Sequence, residues 1–324
     1  MTMNISDKPD QRGTVRPPDG SDLAQQIFDT MLQVPGVKPG HRPVHAKGIV
    51  CQGTFTSTGK VAALSKAAHF QGASSPLTIR FSDAAPDPAV PENSYDASPR
   101  GIAVRFHLPG GGLTDIVALS HNGFAVATGE EFLVLQKAIV ATDPGKPHPW
   151  PIEAFLGTHP AALKFVVENR VIPASLAHEA FFSNNSFVLV NARGARQAVR
   201  YQIVPVAGRR DLSDEEAKTK SASFLIEDLK TRLAAGPVQF RLVVQLPNPG
   251  DRTDDPSLVW PDDRQTIDAG TISITSIVAD SAGVERGLIF DPTHLTDGIE
   301  LSDDPLPALR ARVYSLSMTY RQKK

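Results

Sequence analysis

Thr78-Ile79-Arg80-Phe81-Ser82, "TIRFS", is the stretch on which the reading of this chain turns. Strict alternation over a short run predicts a β-strand, with Ile79 and Phe81 on one face and Thr78, Arg80 and Ser82 on the other. The apolar pair asks for a core. The polar face poses a question, because arginine is rarely buried unless something pairs with it. Turned outward, Arg80 and Ser82 are merely hydrated. Turned inward, Arg80 would neutralise a buried carboxylate and Ser82 would orient an imidazole.

Segments of similar character recur at about 48–56, 77–82, 101–108, 114–118, 186–191, 198–204, 239–246 and 271–278. Eight strands suit a closed barrel, whose interior side chains can fill and which leaves no free edge. A β-sandwich accommodates the same pattern. Helices interrupt the strands. Leu23, Ile27, Met31 and Val34 recur at helical spacing before Pro35-Gly36. Thr128-Gly129-Glu130-Glu131 and Ser213-Asp214-Glu215-Glu216 read as capping boxes. The first precedes Phe132, Leu135 and Ile139; the second precedes Leu225, Leu229 and Leu233, and Gly236-Pro237 stops that helix. A further helix starts at Pro160, with Leu163 and Val167 on one side. The fold class is α+β.

With 33 basic and 35 acidic residues the formal charge is −2, so bulk electrostatics points to neither nucleic acid nor an anionic membrane as partner. A small molecule is the expected partner. No apolar run approaches the roughly 18–20 residues of a membrane span, and the first residues lack the apolar segment of a signal peptide. A cytoplasmic protein is expected, with a periplasmic one left open. Cys51 is the only cysteine, so no intrachain disulfide forms and no cysteine cluster binds metal. Residues 1–20 have the composition of a flexible leader, and 21–324 are expected to form a single domain. Two long Pro- and Asp-rich loops, 84–99 and 247–264, are unusual enough in length to suggest a function.

Three motifs carry possible chemistry. Residues 309–321, "LRARVYSLSMTYR", read as a helix that puts Arg310, Tyr314 and Arg321 on nearly one face. Positive neighbours favour an ionised phenol, and a phenolate can ligate haem iron; the bland alternative is a solvated basic face. "RPVHAKG" (42–48) sets His45 between a stiffened turn and the start of a strand, where it is either an ordinary strand-end histidine or a rigidly held acid/base. His41 and His45 have the spacing of a helical zinc pair, but Pro43 between them disfavours that helix. Gly110–Gly112 are followed by no Lys-Ser/Thr pair and read as a hairpin turn.

Taken together, these blocks resemble the haem catalase superfamily, and most closely the small catalase-related peroxidases. "RPVHAKG" and "GTFTST" are similar to the distal-histidine signature. "IRFS" (79–82), "SPRGIAVRF" (98–106), "TDIV" (114–117), "FSNNSFVLVNARG" (182–194), "VVQLPNPGD" (243–251) and "WPDD…IDAGTISI" (260–274) follow in family order. "GIELSDDPLPALRARVY" (298–314) matches the proximal motif. The resemblance, covering about 35–321, implies an eight-stranded antiparallel β-barrel with surrounding helices. It also implies haem b (iron protoporphyrin IX) with Tyr314 as the metal ligand and Arg310 beside it. His45 corresponds to the distal acid/base, Ser82 to the serine on its imidazole, and Arg42, Arg80 and Arg321 to arginines that pair with haem propionates. Val44 and Phe124 match residues packed near the haem. Ser120 stands where catalases keep a distal asparagine, and Asn122 lies nearby.

The implied activity is that of a haem peroxidase. It would reduce hydrogen peroxide and small organic hydroperoxides through a ferryl intermediate at the expense of an electron donor, with weak catalase activity. A lipid-hydroperoxide isomerase of allene oxide synthase type and a non-catalytic haem-binding protein are the alternatives. The resemblance leaves room for a homo-oligomer.

Overall fold

The computed structural model describes residues 22–322, so the leader expected at 1–20 lies outside the described residues. In chain order the elements are α1 (Leu23–Met31), β1 (Gly48–Ser57), β2 (Ser74–Ser82), β3 (Gly101–His107) and β4 (Leu113–Leu119). The middle of the chain contains α2 (Gly129–Ala141), α3 (Pro151–Leu156), α4 (Pro160–Glu168), β5 (Phe181–Phe182), β6 (Phe187–Val190) and β7 (Arg196–Pro205). Then come α5 (Asp214–Lys218), α6 (Phe224–Ala235), β8 (Val238–Gln245), β9 (Thr266–Ile277), α7 (Ser281–Gly287), β10 (Ile299–Leu301) and α8 (Leu306–Gln322).

Eight strands close into an antiparallel ring in the order β1-β2-β3-β4-β5-β7-β8-β9, with β9 returning to β1. Phe55, Ile79, Phe81, Phe106, Phe181 and Phe240 fill its interior and are essentially inaccessible to solvent. Strands β6 and β10 extend from β7 outside the ring. The count of eight is therefore right, but its membership differs from the sequence reading. Segment 186–191 forms β6, off the ring, while the eighth member is β5, a two-residue strand too short to show alternation. Bulges place two register shifts, one between Gln52 and Gly53 and one between Leu242 and Val243.

The helices pack outside the barrel. Thr128 and Glu131 form the expected capping box of α2. Ser213 and Glu216 form the other box, yet its helix α5 stops at Lys218 and a separate helix, α6, begins at Phe224. The break has a tertiary cause. Glu92 Oε2 accepts hydrogen bonds from Leu225 N (2.7 Å) and Ile226 N (3.3 Å), supplying the acceptor that the first turn of α6 needs. On α4, Leu163 and Val167 are largely exposed, and Ala162 is the residue it buries. The turn between β3 and β4 contains Gly110–Gly112, as expected, and is closed by Leu108 N on Gly112 O at 2.8 Å. Among the described residues, no helix is long and apolar enough to cross a membrane.

Candidate active site

A cavity of about 480 Å³ lies against the outer wall of the barrel. Cross-strand register builds its floor. Ser82 pairs with Gly101 and Gly101 with Leu119, while Arg80 pairs with Ala103 and Ala103 with Val117. Side chains in register share a face, so these two rows point away from the barrel interior that Ile79 and Phe81 fill. Neither water nor the barrel core receives Arg80 and Ser82. They face a chamber roofed by α1, α2, α8 and the segment Leu288–Phe290, while Thr78, farther along the same face, is half-buried and hydrogen-bonds with His107 at 2.9 Å.

His45 sits at one side of this chamber. Its backbone is in the left-handed region (φ 60°), as is that of Asn184 (φ 55°), and both line the cavity. Among the described residues these are the only two non-glycine residues with positive φ. A left-handed non-glycine residue costs about 1–3 kcal/mol and persists where the surroundings enforce it. The ring's Nδ1 lies 3.1 Å from Ser82 Oγ, and its backbone carbonyl accepts from Arg80 Nη2 at 2.7 Å. Gly101 makes room for the pair: a Cβ there would stand 2.9 Å from Ser82 Oγ and 3.2 Å from His45 Cε1. Burial, then the Arg80 charge, push His45 down to about 3, although a hydrogen bond with the Asp83 backbone pulls the other way. The imidazole is therefore neutral at physiological pH, with Nε2 free of the Ser82 contact.

Helix α8 supplies another wall. Arg310 donates to Tyr314 Oη from Nε (3.1 Å) and Nη2 (2.9 Å). Its third nitrogen, Nη1, donates to Asn185 Oδ1, and Asn185 Nδ2 in turn donates to Asp304 Oδ2 at 2.8 Å. Burial raises the Asp304 carboxyl above its ordinary range. Arg310 is thus held at both ends, with its fork turned on one phenolic oxygen. Tyr314 and Arg321 line the same cavity, as their helical spacing predicts.

Arginines crowd one corner. Glu285 Oε1 accepts from Arg42 Nη1 (2.8 Å) and from Arg80 Nε (2.9 Å) and Nη2 (2.5 Å). Arg321 Nη2 reaches Leu288 O at 3.3 Å, and its buried Nε has no hydrogen-bond partner among the described residues. Gly48 lets Arg80 lie flat across β1, since a Cβ there would meet Arg80 Nη2 at 2.4 Å. Burial first, then the charges of Arg80 and Arg321, push Arg42 down to about 8; burial and Arg80 push Arg321 down to about 10. Guanidinium keeps its proton in proteins. These shifts therefore mark a buried corner in which Glu285 faces three guanidiniums.

The remaining walls are apolar: Val44, Phe124, Phe132, Leu135 and Phe165 among them. Phe124 meets Phe132 and Phe165 at ring distances of 5.8 and 5.9 Å. Ser120 departs from the sequence reading. Its Oγ accepts from Arg100 N (3.0 Å), tying the end of β4 to the start of β3, and neither Ser120 nor Asn122 lines the cavity. Leu119 takes the wall position. Three participants escaped sequence reasoning: Glu285, Asn185 and Asp304. Asn185 and Asp304 lie within the quoted blocks 182–194 and 298–314 without standing out there, Glu285 lies in no quoted block, and all three make their site contacts across more than a hundred residues.

The family profile described as catalase matches residues 21–323. The chain belongs to the catalase family. A catalase-related peroxidase of Mycolicibacterium paratuberculosis is 38% identical over 301 residues, spanning 91% of this chain and 94% of the relative. Another, of Synechococcus elongatus, is 34% identical over 303 residues, spanning 92% and 88%. A fungal catalase structure shares the fold, with a TM-score of 0.78 at 21% identity over 100% of this chain and 67% of its own.

Catalase-family membership implies a haem cofactor, and the cavity's chemistry fits one. A flat apolar macrocycle matches walls of Val44, Phe124 and Phe132. A phenol oxygen that accepts two guanidinium N–H groups is a suitable ligand for iron. The positive corner formed by Arg42, Arg80 and Arg321 suits carboxylate side groups.

Proposed function

We propose that this chain is a haem-dependent peroxidase that reduces hydrogen peroxide and small organic hydroperoxides with electrons from an external donor, and that its catalase activity is weak. One observation carries the reading. Tyr314, gripped by Arg310, and His45, set by Ser82, face a single cavity from different walls. Haem b, held through Tyr314 Oη and through its propionates at Arg42, Arg80 and Arg321, would supply the redox chemistry when bound. Val44 and Phe124 would pack on the macrocycle. In this reading residues 21–324 act as one catalase-like domain, and the lone buried Cys51 suits a reducing compartment such as the cytoplasm.

The protein's own part is proton movement and positioning. His45 is neutral, so Nε2 can accept the proton of an incoming hydroperoxide and return it to the oxygen that leaves as water or alcohol. Ser82 and the left-handed backbone keep the ring in that orientation. Overall, one hydroperoxide, two electrons and two protons give one alcohol and one water. Apolar walls exclude bulk water and admit an alkyl substituent. Weak dismutation follows from Leu119, which offers no hydrogen bond to a second peroxide where Ser120 turns away.

The test is a paired assay on haem-loaded protein, with hydroperoxide, a reducing dye and an oxygen electrode. The expected result is two electrons drawn from dye per hydroperoxide, with little oxygen. Loss of a lipid hydroperoxide without dye oxidation would mean an isomerase. No turnover at all would mean a haem carrier, and oxygen release outpacing dye oxidation would mean an efficient catalase.

A further inference from the structure

The arginine corner contains a carboxylate that the haem reading does not use. Glu285, on the short helix α7, brings Oε1 against both Arg42 and Arg80 across 243 and 205 residues of sequence. Those two guanidiniums and Arg321 carry three positive charges, and Glu285 cancels one. The remaining two are the complement of two propionates. The segment after α7 is tied to the same groups, since Leu288 O accepts from Arg42 Nη2 (2.8 Å) and Arg321 Nη2 (3.3 Å). On its far side, Arg105 Nη2 donates to Ile289 O at 2.5 Å and pairs with Asp115. Helix α7 and the strap 288–290 are thus held to the cavity rim by the guanidiniums that would read the cofactor.

We propose that Glu285 is a built-in competitor for the porphyrin carboxylates: it shares the N–H donors of Arg42 and Arg80 with the propionates and so limits how tightly haem is retained. The inference rests on the haem reading of the cavity. A carboxylate on the same two guanidiniums repels a propionate that arrives there, and each N–H hydrogen it holds is unavailable for a second full-strength bond. Before the propionates arrive it separates like charges that would otherwise face one another unscreened. Glu285 therefore stabilises the corner and loosens the cofactor with the same contact.

The test is the rate at which the haem-loaded full chain gives up haem to an apoglobin acceptor, for the parent and for Glu285→Gln. The variant is expected to lose haem about tenfold more slowly. Loading both proteins with the iron complex of protoporphyrin dimethyl ester, whose propionates are capped, should abolish that difference. Equal or faster haem loss in Glu285→Gln would overturn the proposal, as would the same slowing with the ester. Should Glu285→Gln not fold, Glu285→Asp, which withdraws the carboxylate by one methylene, is expected to slow loss by a smaller factor, and unchanged loss would count against it. Failure of the haem reading itself is distinguishable, because the parent would then bind no haem to lose.

Discussion

Ser82→Ala isolates the contact that is proposed to set the acid/base. The substitution removes one hydrogen bond, between His45 Nδ1 and Ser82 Oγ at 3.1 Å, and leaves the ring's other supports in place: the left-handed backbone, the close approach to Gly101 and the hydrogen bond with the Asp83 backbone. A neutral hydrogen bond of this kind is worth about 0.5–1.5 kcal/mol. At about 1.4 kcal/mol per factor of ten, kcat/KM for hydroperoxide should fall roughly two- to twelvefold. Removing the acid/base itself is a larger loss, about 10²–10⁴-fold, and His45→Asn achieves it with a residue that tolerates positive φ. The two effects are not independent. In the double variant Ser82→Ala should cost nothing further, because the group it orients is gone. Dye-coupled rates on haem-loaded protein, with haem content checked by absorbance, measure all four corners of the cycle. A Ser82→Ala loss that persists unchanged on the His45→Asn background would refute the reasoning.

Two titrations follow from burial. His45 is lowered to about 3, so its base form is complete well above that value, and kcat/KM should stay flat from pH 5 to 8; an inflection near 6.5 would contradict the proposed environment. His69, packed against Phe70 and Phe106 with its Nδ1 unpartnered, is also lowered to about 3 by burial. The unfolded chain therefore binds a proton below pH 6.5 that the folded barrel refuses, and stability drops by about 1.4 kcal/mol per pH unit from 6.5 toward 3. His69→Phe removes that slope, so its advantage in denaturant melts should be about 2–3 kcal/mol greater at pH 4.5 than at pH 7.5. An advantage equal at both values would count against it.

Local pattern reveals the barrel walls and the proximal helix, and tertiary contacts decide the rest. Alternation locates β1–β4 and β7–β9 because each is long enough for its period to show, whereas Phe181-Phe182 is a ring strand only by virtue of the neighbours it joins. The capping box at Ser213 starts a helix, but the Glu92 carboxylate, remote in sequence, decides where the next one begins. Arg80 posed a choice between core and water, and the cavity outside the barrel is a third place that strand periodicity cannot distinguish from solvent. Tyr314, Arg310 and Arg321 are legible because a helix fixes their relative positions over eleven residues. Glu285, Asn185 and Asp304 are not, since each is an ordinary polar residue until folding brings an arginine or amide to it. Ser120 shows the opposite failure: position in sequence suggested the cavity, and the hydroxyl instead closes a backbone hydrogen bond with Arg100.

The claim on which the rest depends is that Tyr314 Oη holds the iron. Its most direct test is the absorption spectrum of haem-loaded Tyr314→Phe beside that of the parent at matched haem content. Loss of the phenolate should move the haem bands. Superimposable spectra would remove Tyr314 from the iron and, with it, the proposed reaction site.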